Sequence, residues 1–273
     1  MIKSLRNLRD LYFSKSISEP ILYPRVDIYF WRPAIGLNFG DYLASVVVQR
    51  MLAEAELVPD EPTSRARRLL SVGSILHFAK NGDAVWGSGR NGKIPDERHN
   101  FARLDVRAVR GPKTRAFLEA RGIKVPEVYG DPALLLPRLL PTRFAKAPVK
   151  GRIGLILNLN DPLPEAGIEN AFVIDPKDHW ANVIAKILSC EFLISGSLHG
   201  LVIADAYGVP CSFLRLSNIE PDFKYHDYFE GVSRTEYWAN SSFSQALDRG
   251  PLPTIHYDGQ ALYDAFPYDL WTS

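Results

Sequence analysis

Short apolar runs alternate with helical patterns along most of the chain. The apolar runs typical of buried strands are 27–31, 69–73, 106–110, 153–157, 191–194 and 209–214. Apolar residues at helical spacing predict helices over 42–55, 112–121 and 179–189. Strands that alternate with helices favour parallel sheets covered by helices. The sequence therefore predicts an α/β protein.

This pattern is interrupted between residues 140 and 151, where prolines, basic residues and a glycine follow one another without a strand or helix period. We predict an N-terminal α/β domain over 1–145 and a C-terminal α/β domain over 151–250. A C-terminal tail over 251–273 is expected to pack back on the first domain. Two such domains would face a cleft, and ligands of α/β sheets bind at the carboxyl ends of the strands.

Composition excludes several classes of protein. The chain has 273 residues, 46% of them hydrophobic, and a net charge of +1. This balance is typical of a globular protein and excludes a dedicated nucleic-acid binder. No apolar stretch reaches the roughly 20 residues that cross a bilayer. We expect a cytoplasmic protein in which Cys190 and Cys211 are reduced core residues, and the spacing of Cys and His indicates no metal site.

The N-terminal segment has an amphipathic pattern, with Leu5, Leu8 and Leu11 on one helical face and basic residues close by. Such a helix can lie on an anionic membrane surface, which would make the protein peripheral on the inner face of the cytoplasmic membrane. Packing on the body of the protein, or a frayed terminus, explains the same pattern. The sequence leaves these interpretations open.

Two polar segments precede or follow predicted elements in the first half. Asn38 and Asp41 stand at the start of a helix, where Asp caps free amides, but a carboxylate in a cleft can also accept a proton from a sugar hydroxyl. The glycine-rich stretch 86–95, with Arg90 and Asn91, has the spacing of a dinucleotide-binding loop. No helix follows it, so we interpret it as a loop of the cleft.

A third segment combines a strand end with a helix start. The strand over 106–110 ends in Arg110, and Pro112 occupies the favoured first position of the next helix. The free amides of that helix, beside Arg110 and Lys113, form a natural site for phosphate or carboxylate. A surface arginine beside a well-capped helix is the structural alternative.

The fourth segment is 192–200, where a buried strand turns through small residues into a helix. Ser197 and His199 fall near the N-terminus of that helix. Ser195 occupies the place where a nucleophile elbow needs its first glycine, so a serine hydrolase is not indicated. A histidine between glycines at such a turn is a candidate general acid for an anionic substrate.

Together these segments resemble the polysaccharide pyruvyl transferase family, in particular the ketal pyruvyl transferases of bacterial exopolysaccharide assembly. The segments that carry the resemblance are 38–41, 109–114, 129–132, 197–200 and 204–210, in order and at matching spacing. The segments 223–228 and 265–271 look like the xanthan-type branch. The resemblance implies two Rossmann-like α/β domains facing a cleft, an arrangement that glycosyltransferases call GT-B.

The resemblance also implies a reaction. A pyruvyl group would pass from phosphoenolpyruvate, as co-substrate and without any other cofactor, to two hydroxyls of a sugar on a lipid-linked oligosaccharide, releasing phosphate. By position, His199 looks like the catalytic acid and Asp41 like a carboxylate near the acceptor. The candidate donor contacts are Arg110, Lys113, Ser197, Leu198, Gly200 and Lys224. The candidate acceptor contacts are Asn38, Arg90, Asn91 and Asp131.

Two positions depart from the family pattern. Asn158 stands where relatives often have a histidine, and Ser197 stands where some have arginine. The charge of the donor must then be met elsewhere. Two other functions stay open: a glycosyltransferase that uses a nucleotide sugar in the same fold, and a non-catalytic subunit of a polysaccharide assembly complex. The absence of a clear acidic ribose ligand after a glycine-rich turn favours pyruvyl transfer.

Overall fold

The protein is described by a computed structural model over residues 23–33, 36–159, 161–163, 170–217 and 221–272. The predicted amphipathic helix at the N-terminus lies outside the described residues. The described part is a mixed α/β structure with two four-stranded sheets, in which all neighbouring strands are parallel. The predicted α/β class is therefore confirmed.

The first sheet has the order β1-β2-β3-β4, with β1 at one edge. Its strands are β1 (Val26–Tyr29), β2 (Arg67–Leu70), β3 (Ala84–Trp86) and β4 (Asp105–Ala108). The helices of this half are α1 (Phe39–Glu54), α2 (Pro112–Glu119) and α3 (Leu136–Leu139), with 3₁₀ turns at Leu76–Phe78, Asp96–Arg98 and Pro132–Leu135.

The second sheet has the order β6-β5-β7-β8. Its strands are β5 (Val149–Ile156), β6 (Ala171–Val173), β7 (Cys190–Ser195) and β8 (Cys211–Phe213). The helices of this half are α4 (Trp180–Leu188), α5 (Leu198–Tyr207), α6 (Phe223–Gly231), α7 (Phe243–Arg249) and α8 (Gln260–Asp264), followed by a 3₁₀ turn at Tyr268–Leu270. Because β5 begins at Val149, the irregular stretch is shorter than the sequence indicates.

Residues of both halves contribute to one hydrophobic core. Met51 of α1 and Trp86 of β3 belong to the same buried cluster as Ile184 of α4 and Val202 of α5. Helix α1 packs against β1 and also against α4. The two halves therefore share apolar packing, and the division into domains near residue 145 stays a prediction. Both cysteines are free and buried.

The C-terminal residues lie against the first half. Tyr257 donates a hydrogen bond of 2.6 Å to the carbonyl of Tyr129, and Tyr268 donates one of 3.0 Å to the carbonyl of Met51. Asp269 forms an ion pair with Arg107 at 2.7 Å. These bonds fix the end of the chain beside α1 and β4. Among the described residues, no helix has the length and apolar character needed to cross a bilayer.

Candidate active site

A pocket of about 250 Å³ is lined by loops that follow the strands of both sheets. In the first half, the lining comes from the residues after three strands: Asn38 and Asp41 after β1, Ser74 and His77 after β2, and Asn91 and Lys93 after β3. In the second half, it comes from Asn158 after β5, Pro176 after β6, and Ser197, Leu198 and His199 after β7. Lys224, near the start of α6, completes the polar lining. Because carboxyl ends of parallel strands meet at one edge of a sheet, this is the expected place for a ligand.

The start of α5 places His199 in the pocket wall. Ser197 caps this helix, since its hydroxyl accepts a hydrogen bond of 3.4 Å from the amide of Gly200. Gly200 itself lies behind the wall, where a Cβ would stand 2.3 Å from the Ser195 hydroxyl oxygen. The helix ends at Gly208, whose φ of 65° is typical of a left-handed C-terminal cap. Residue 199 is thus held on the first turn of a well-defined helix.

His199 faces a buried carboxylate. Its Nε2 lies 3.6 Å from Oδ2 of Asp131, a fully buried residue whose Oδ1 accepts a hydrogen bond from the amide of Ala133. Neither Nε2 nor Oδ2 has a hydrogen-bond partner among the described residues. Asp131 is predicted from the sequence to contact the acceptor, but it does not line the pocket. Its carboxylate instead lies where it can orient the imidazole.

The first turn of α1 lies directly against His199. A Cβ added at Gly40 would stand 2.0 Å from Nδ1 and 2.3 Å from Cγ of the histidine ring. Phe39 also approaches the ring edge-on, with centroids 6.3 Å apart. The close approach requires glycine at position 40, and it packs the first turn of α1 directly on the imidazole.

Asp41 is a buried carboxylate in the pocket wall. Asn38 donates a hydrogen bond of 2.7 Å to its Oδ2. Burial raises the pKa of Asp41 to about 6, while the charges of His199 and Lys224 offset part of that rise and the Asp131 carboxylate adds to it. A carboxyl group with a pKa near the working pH can both accept and donate a proton. The structure thus gives Asp41 properties suited to acid–base chemistry.

The raised pKa has a consequence for stability. An unfolded Asp has a pKa of about 3.9, so between about pH 4 and 6 the folded protein holds this proton more tightly than the unfolded chain. The contribution of Asp41 to the free energy of unfolding therefore falls as pH rises through this range. We expect Asp41→Asn, which cannot ionise, to be more stable than the wild type at pH 7.5 by roughly 1–3 kcal/mol.

Urea unfolding at pH 4, 5, 6 and 7.5 checks this prediction, and the advantage of Asp41→Asn should shrink toward pH 4. Asp60→Asn is the matched control, because Asp60 is exposed and should show no such pH dependence. A wild type that is as stable as Asp41→Asn at pH 7.5 would contradict the prediction.

Lys224 places a positive charge at the pocket. It is a buried residue of α6, and its Nζ lies 3.3 Å from Oδ1 of Asn158 and 5.0 Å from the centre of the Tyr225 ring. Tyr225 hydroxyl donates a hydrogen bond of 2.7 Å to the carbonyl of Gly196. These contacts hold the lysine beside the turn that leads into α5.

His77 belongs to the pocket, although the sequence analysis does not identify it. The Asn91 carboxamide oxygen accepts hydrogen bonds from the amides of Lys93 and Ile94, at 2.9 and 3.1 Å, so its NH₂ group faces His77 Nδ1 at 3.2 Å. In this assignment Nδ1 accepts, and the proton of the neutral ring lies on Nε2. Burial, with a smaller effect of the neighbouring His99, lowers the pKa of His77 to about 4. His77 is thus a neutral hydrogen-bonding group.

Besides Asp131 and Gly200, three predicted contacts do not line this pocket. Arg110 is fully buried. Its guanidinium forms an ion pair with Asp227 and donates a hydrogen bond to the Ser74 hydroxyl, so its charge is paired within the protein. Lys113 pairs with Glu230 at 2.9 Å on the surface. Arg90 forms an ion pair with Asp96. Carboxylates of the protein pair with all three charges, and the anion and acceptor contacts expected at these positions stay predictions.

The predicted residues that the pocket does bring together are Asn38, Asp41, Asn91, Ser197, Leu198, His199 and Lys224. Within the described ranges, no group of three His, Cys, Asp or Glu side chains is arranged to hold a metal ion. The pocket therefore offers a histidine, a carboxyl group of raised pKa and a lysine, which suit proton transfer on an anionic substrate.

The chain is similar to several known proteins. The chain is 30% identical over 217 residues to the succinoglycan biosynthesis protein ExoV of Rhizobium meliloti (strain 1021). The aligned region covers 76% of this chain and 65% of that protein. It is 24% identical over 227 residues to an uncharacterized protein of Acanthamoeba polyphaga mimivirus, covering 78% of each.

A crystal structure of a functionally uncharacterized protein of Klebsiella pneumoniae subsp. pneumoniae NTUH-K2044 shares the fold, with a TM-score of 0.51 at 12% identity. The match covers 87% of this chain and 98% of that chain. The family model named polysaccharide pyruvyl transferase matches residues 38–218, which include most of both sheets and nearly all of the pocket. On this evidence, the chain belongs to the polysaccharide pyruvyl transferase family.

Proposed function

We propose that the protein transfers the pyruvyl group of phosphoenolpyruvate to two hydroxyls of one sugar, forming a cyclic ketal and releasing phosphate. The observation that carries the proposal is the convergence of His199, Asp41 and Lys224 in one pocket of a chain of this family. This reaction needs an acid, a base and positive charge, and these three side chains can supply them.

The acceptor in this proposal is a sugar of a lipid-linked exopolysaccharide repeat unit, and the reaction takes place at the inner face of the cytoplasmic membrane. The support is the similarity to a succinoglycan biosynthesis protein. In a GT-B-like arrangement, the second half holds the donor at the start of α5 and the first half holds the acceptor beside Asn38 and Asn91.

The proposed mechanism begins with proton transfer from His199 to the methylene carbon of phosphoenolpyruvate. The carbon that bears carboxylate and phosphate then becomes electrophilic, and a first sugar hydroxyl bonds to it while Asp41 takes the hydroxyl proton. Cleavage of the bond to phosphate restores an electrophilic centre, to which the second hydroxyl bonds. The departing phosphate takes the second hydroxyl proton, and Asp41 passes the first back to His199 through solvent. Both side chains are then restored, with one hydroxyl proton replacing the one that entered the new methyl group and the other on phosphate.

In this proposal, the positive charges that line the pocket bind the anionic donor. Lys224 and Lys93 both line it, and the N-terminus of α5 carries the positive end of a helix dipole toward the same space. Asp131 orients His199 from behind, so the histidine can present its proton in a fixed direction. The donor charge is met in this proposal without Arg110.

The experiment that tests the function is calorimetric titration with phosphoenolpyruvate, beside a panel of nucleotide sugars. Saturable binding of phosphoenolpyruvate and not of the nucleotide sugars is the expected result. Binding of a nucleotide sugar instead would assign the protein to sugar transfer and overturn the proposal. Binding of neither donor would contradict both enzymatic functions.

Removing the charge of Lys224 should weaken donor binding. In Lys224→Met a charge-assisted hydrogen bond to the donor is lost, worth about 1.5–3 kcal/mol, so the Kd for phosphoenolpyruvate should rise roughly 10- to 150-fold. The measurement is the same titration on folded protein. Lys80→Met is the control, because Lys80 is exposed and does not line the pocket. An unchanged Kd in Lys224→Met would remove Lys224 from the donor site.

A further inference from the structure

An open groove continues from the pocket along the edge of the first sheet. It is lined by residues 27–32 and by Phe78, and its volume is about 510 Å³. Trp31 and Phe78 line both the pocket and the groove, so the two cavities adjoin. A molecule whose reacting end lies in the pocket could therefore extend into the groove without leaving the protein surface.

The aromatic side chains of the groove are held in place by their neighbours. The rings of Tyr29 and Phe78 lie 5.5 Å apart, and the Phe78 ring lies 4.0 Å from that of His77. The guanidinium of Arg68 covers the Tyr29 ring at 4.4 Å. Tyr29, Trp31 and Phe78 are all half-buried. The groove thus has a largely preformed aromatic wall, which reduces the entropy that a ligand must offset on binding.

The polar groups of the groove carry both signs of charge. Asp27 and Arg32 are exposed at its rim, and Arg32 lies over the Phe30 ring at 4.5 Å. A lipid tail would not match a wall that includes a carboxylate and a guanidinium. A neutral sugar matches better, because its C–H face can stack on aromatic rings while its hydroxyls bond to the charged rim.

We propose that this groove binds the sugar unit adjacent to the one that is pyruvylated, so that the acceptor is recognised as an oligosaccharide. This inference rests on the proposed function. The reacting sugar occupies the pocket near His77 and Asn91, and its neighbour stacks on the wall formed by Tyr29, Trp31 and Phe78. The protein then selects its acceptor by chain length as well as by the two hydroxyls that react.

The test is a direct binding measurement on a printed array of bacterial exopolysaccharide fragments that range from one to four sugar units. Wild type and Trp31→Ala are compared with Trp238→Ala, a half-buried tryptophan outside the groove whose ring packs on Arg249. We expect at least one series of fragments, each built by adding sugar units to the same first sugar, in which the fragment of two units binds more tightly than the single sugar. That gain should fall roughly tenfold in Trp31→Ala and persist in Trp238→Ala.

A second variant guards against misfolding of the first. Tyr29→Leu keeps an apolar side chain but removes the ring, and it should lose part of the same gain. The proposal is overturned if affinity does not rise with fragment length in any series, or if no fragment binds at all. It is also overturned if Trp31→Ala and Trp238→Ala lose the affinity gain equally. Titration of the same wild-type sample with phosphoenolpyruvate separates the two hypotheses, since failure of the groove alone leaves donor binding intact.

Discussion

His199→Ala is expected to lower the rate of ketal formation by about 10²–10⁴-fold, because a well-placed general acid contributes that much. Asp131 is not placed to take over its role, since it lies behind the ring and outside the pocket. The variant should still fold, because the helix that carries residue 199 is capped by Ser197. Phosphate release from phosphoenolpyruvate in the presence of an acceptor saccharide measures the loss, and thermal unfolding measures the fold.

Two further variants define what that loss means. His256→Ala removes an exposed histidine that does not line the pocket and should leave turnover unchanged. Asp131→Asn keeps the shape of the carboxylate without its charge, and it should lower turnover less than His199→Ala because the histidine itself remains. Turnover near that of the wild type in His199→Ala would exclude this residue as the acid.

Arg110→Met is expected to destabilise the protein by about 3–5 kcal/mol, because it leaves a buried carboxylate without its countercharge. Asp227 is fully buried, lies 2.9 Å from the guanidinium, and also accepts hydrogen bonds from the amide and hydroxyl of Thr114. The pair joins the end of β4 in the first half to α6 in the second. Urea unfolding followed by circular dichroism measures the effect.

The matched control for this loss is Arg115→Met. Arg115 makes surface ion pairs with Glu119 and Glu127, and exposed pairs contribute about 0–1 kcal/mol. The double variant Arg110→Met with Asp227→Leu should recover much of the lost stability, since it removes both buried charges of the pair. Equal destabilisation by Arg110→Met and Arg115→Met would show that the buried pair contributes no more to stability than the exposed pairs do.

The fold could be predicted where apolar residues dominate an element. The run at 153–157 coincides with the second half of β5, the run at 191–194 with most of β7, and the stripe over 179–189 with α4. Strand β3, Ala84–Trp86, has only three residues and leads into a glycine-rich loop, so its pattern is too short to detect. Helix α6 was not predicted because polar residues, among them Lys224 and Asp227, are buried in it and mask its period.

The site could be predicted in part. His199 and Asp41 each stand at the start of a helix that follows a strand, and local sequence reveals that position. Arg110 shows the limit of local reasoning, because its partner Asp227 lies 117 residues away along the chain. His77 has no motif around it, and only the fold brings its 3₁₀ turn to the pocket.

The contact between Gly40 and His199 links two positions that lie far apart in the sequence. Because a Cβ at residue 40 would overlap the imidazole, a lineage that keeps the histidine has to inherit the glycine with it. A descendant that loses the histidine is released from that requirement and can accumulate alanine or serine at position 40. The residues at these two positions of a homologous sequence, taken together, would then distinguish family members that retain the catalytic activity from those that have lost it.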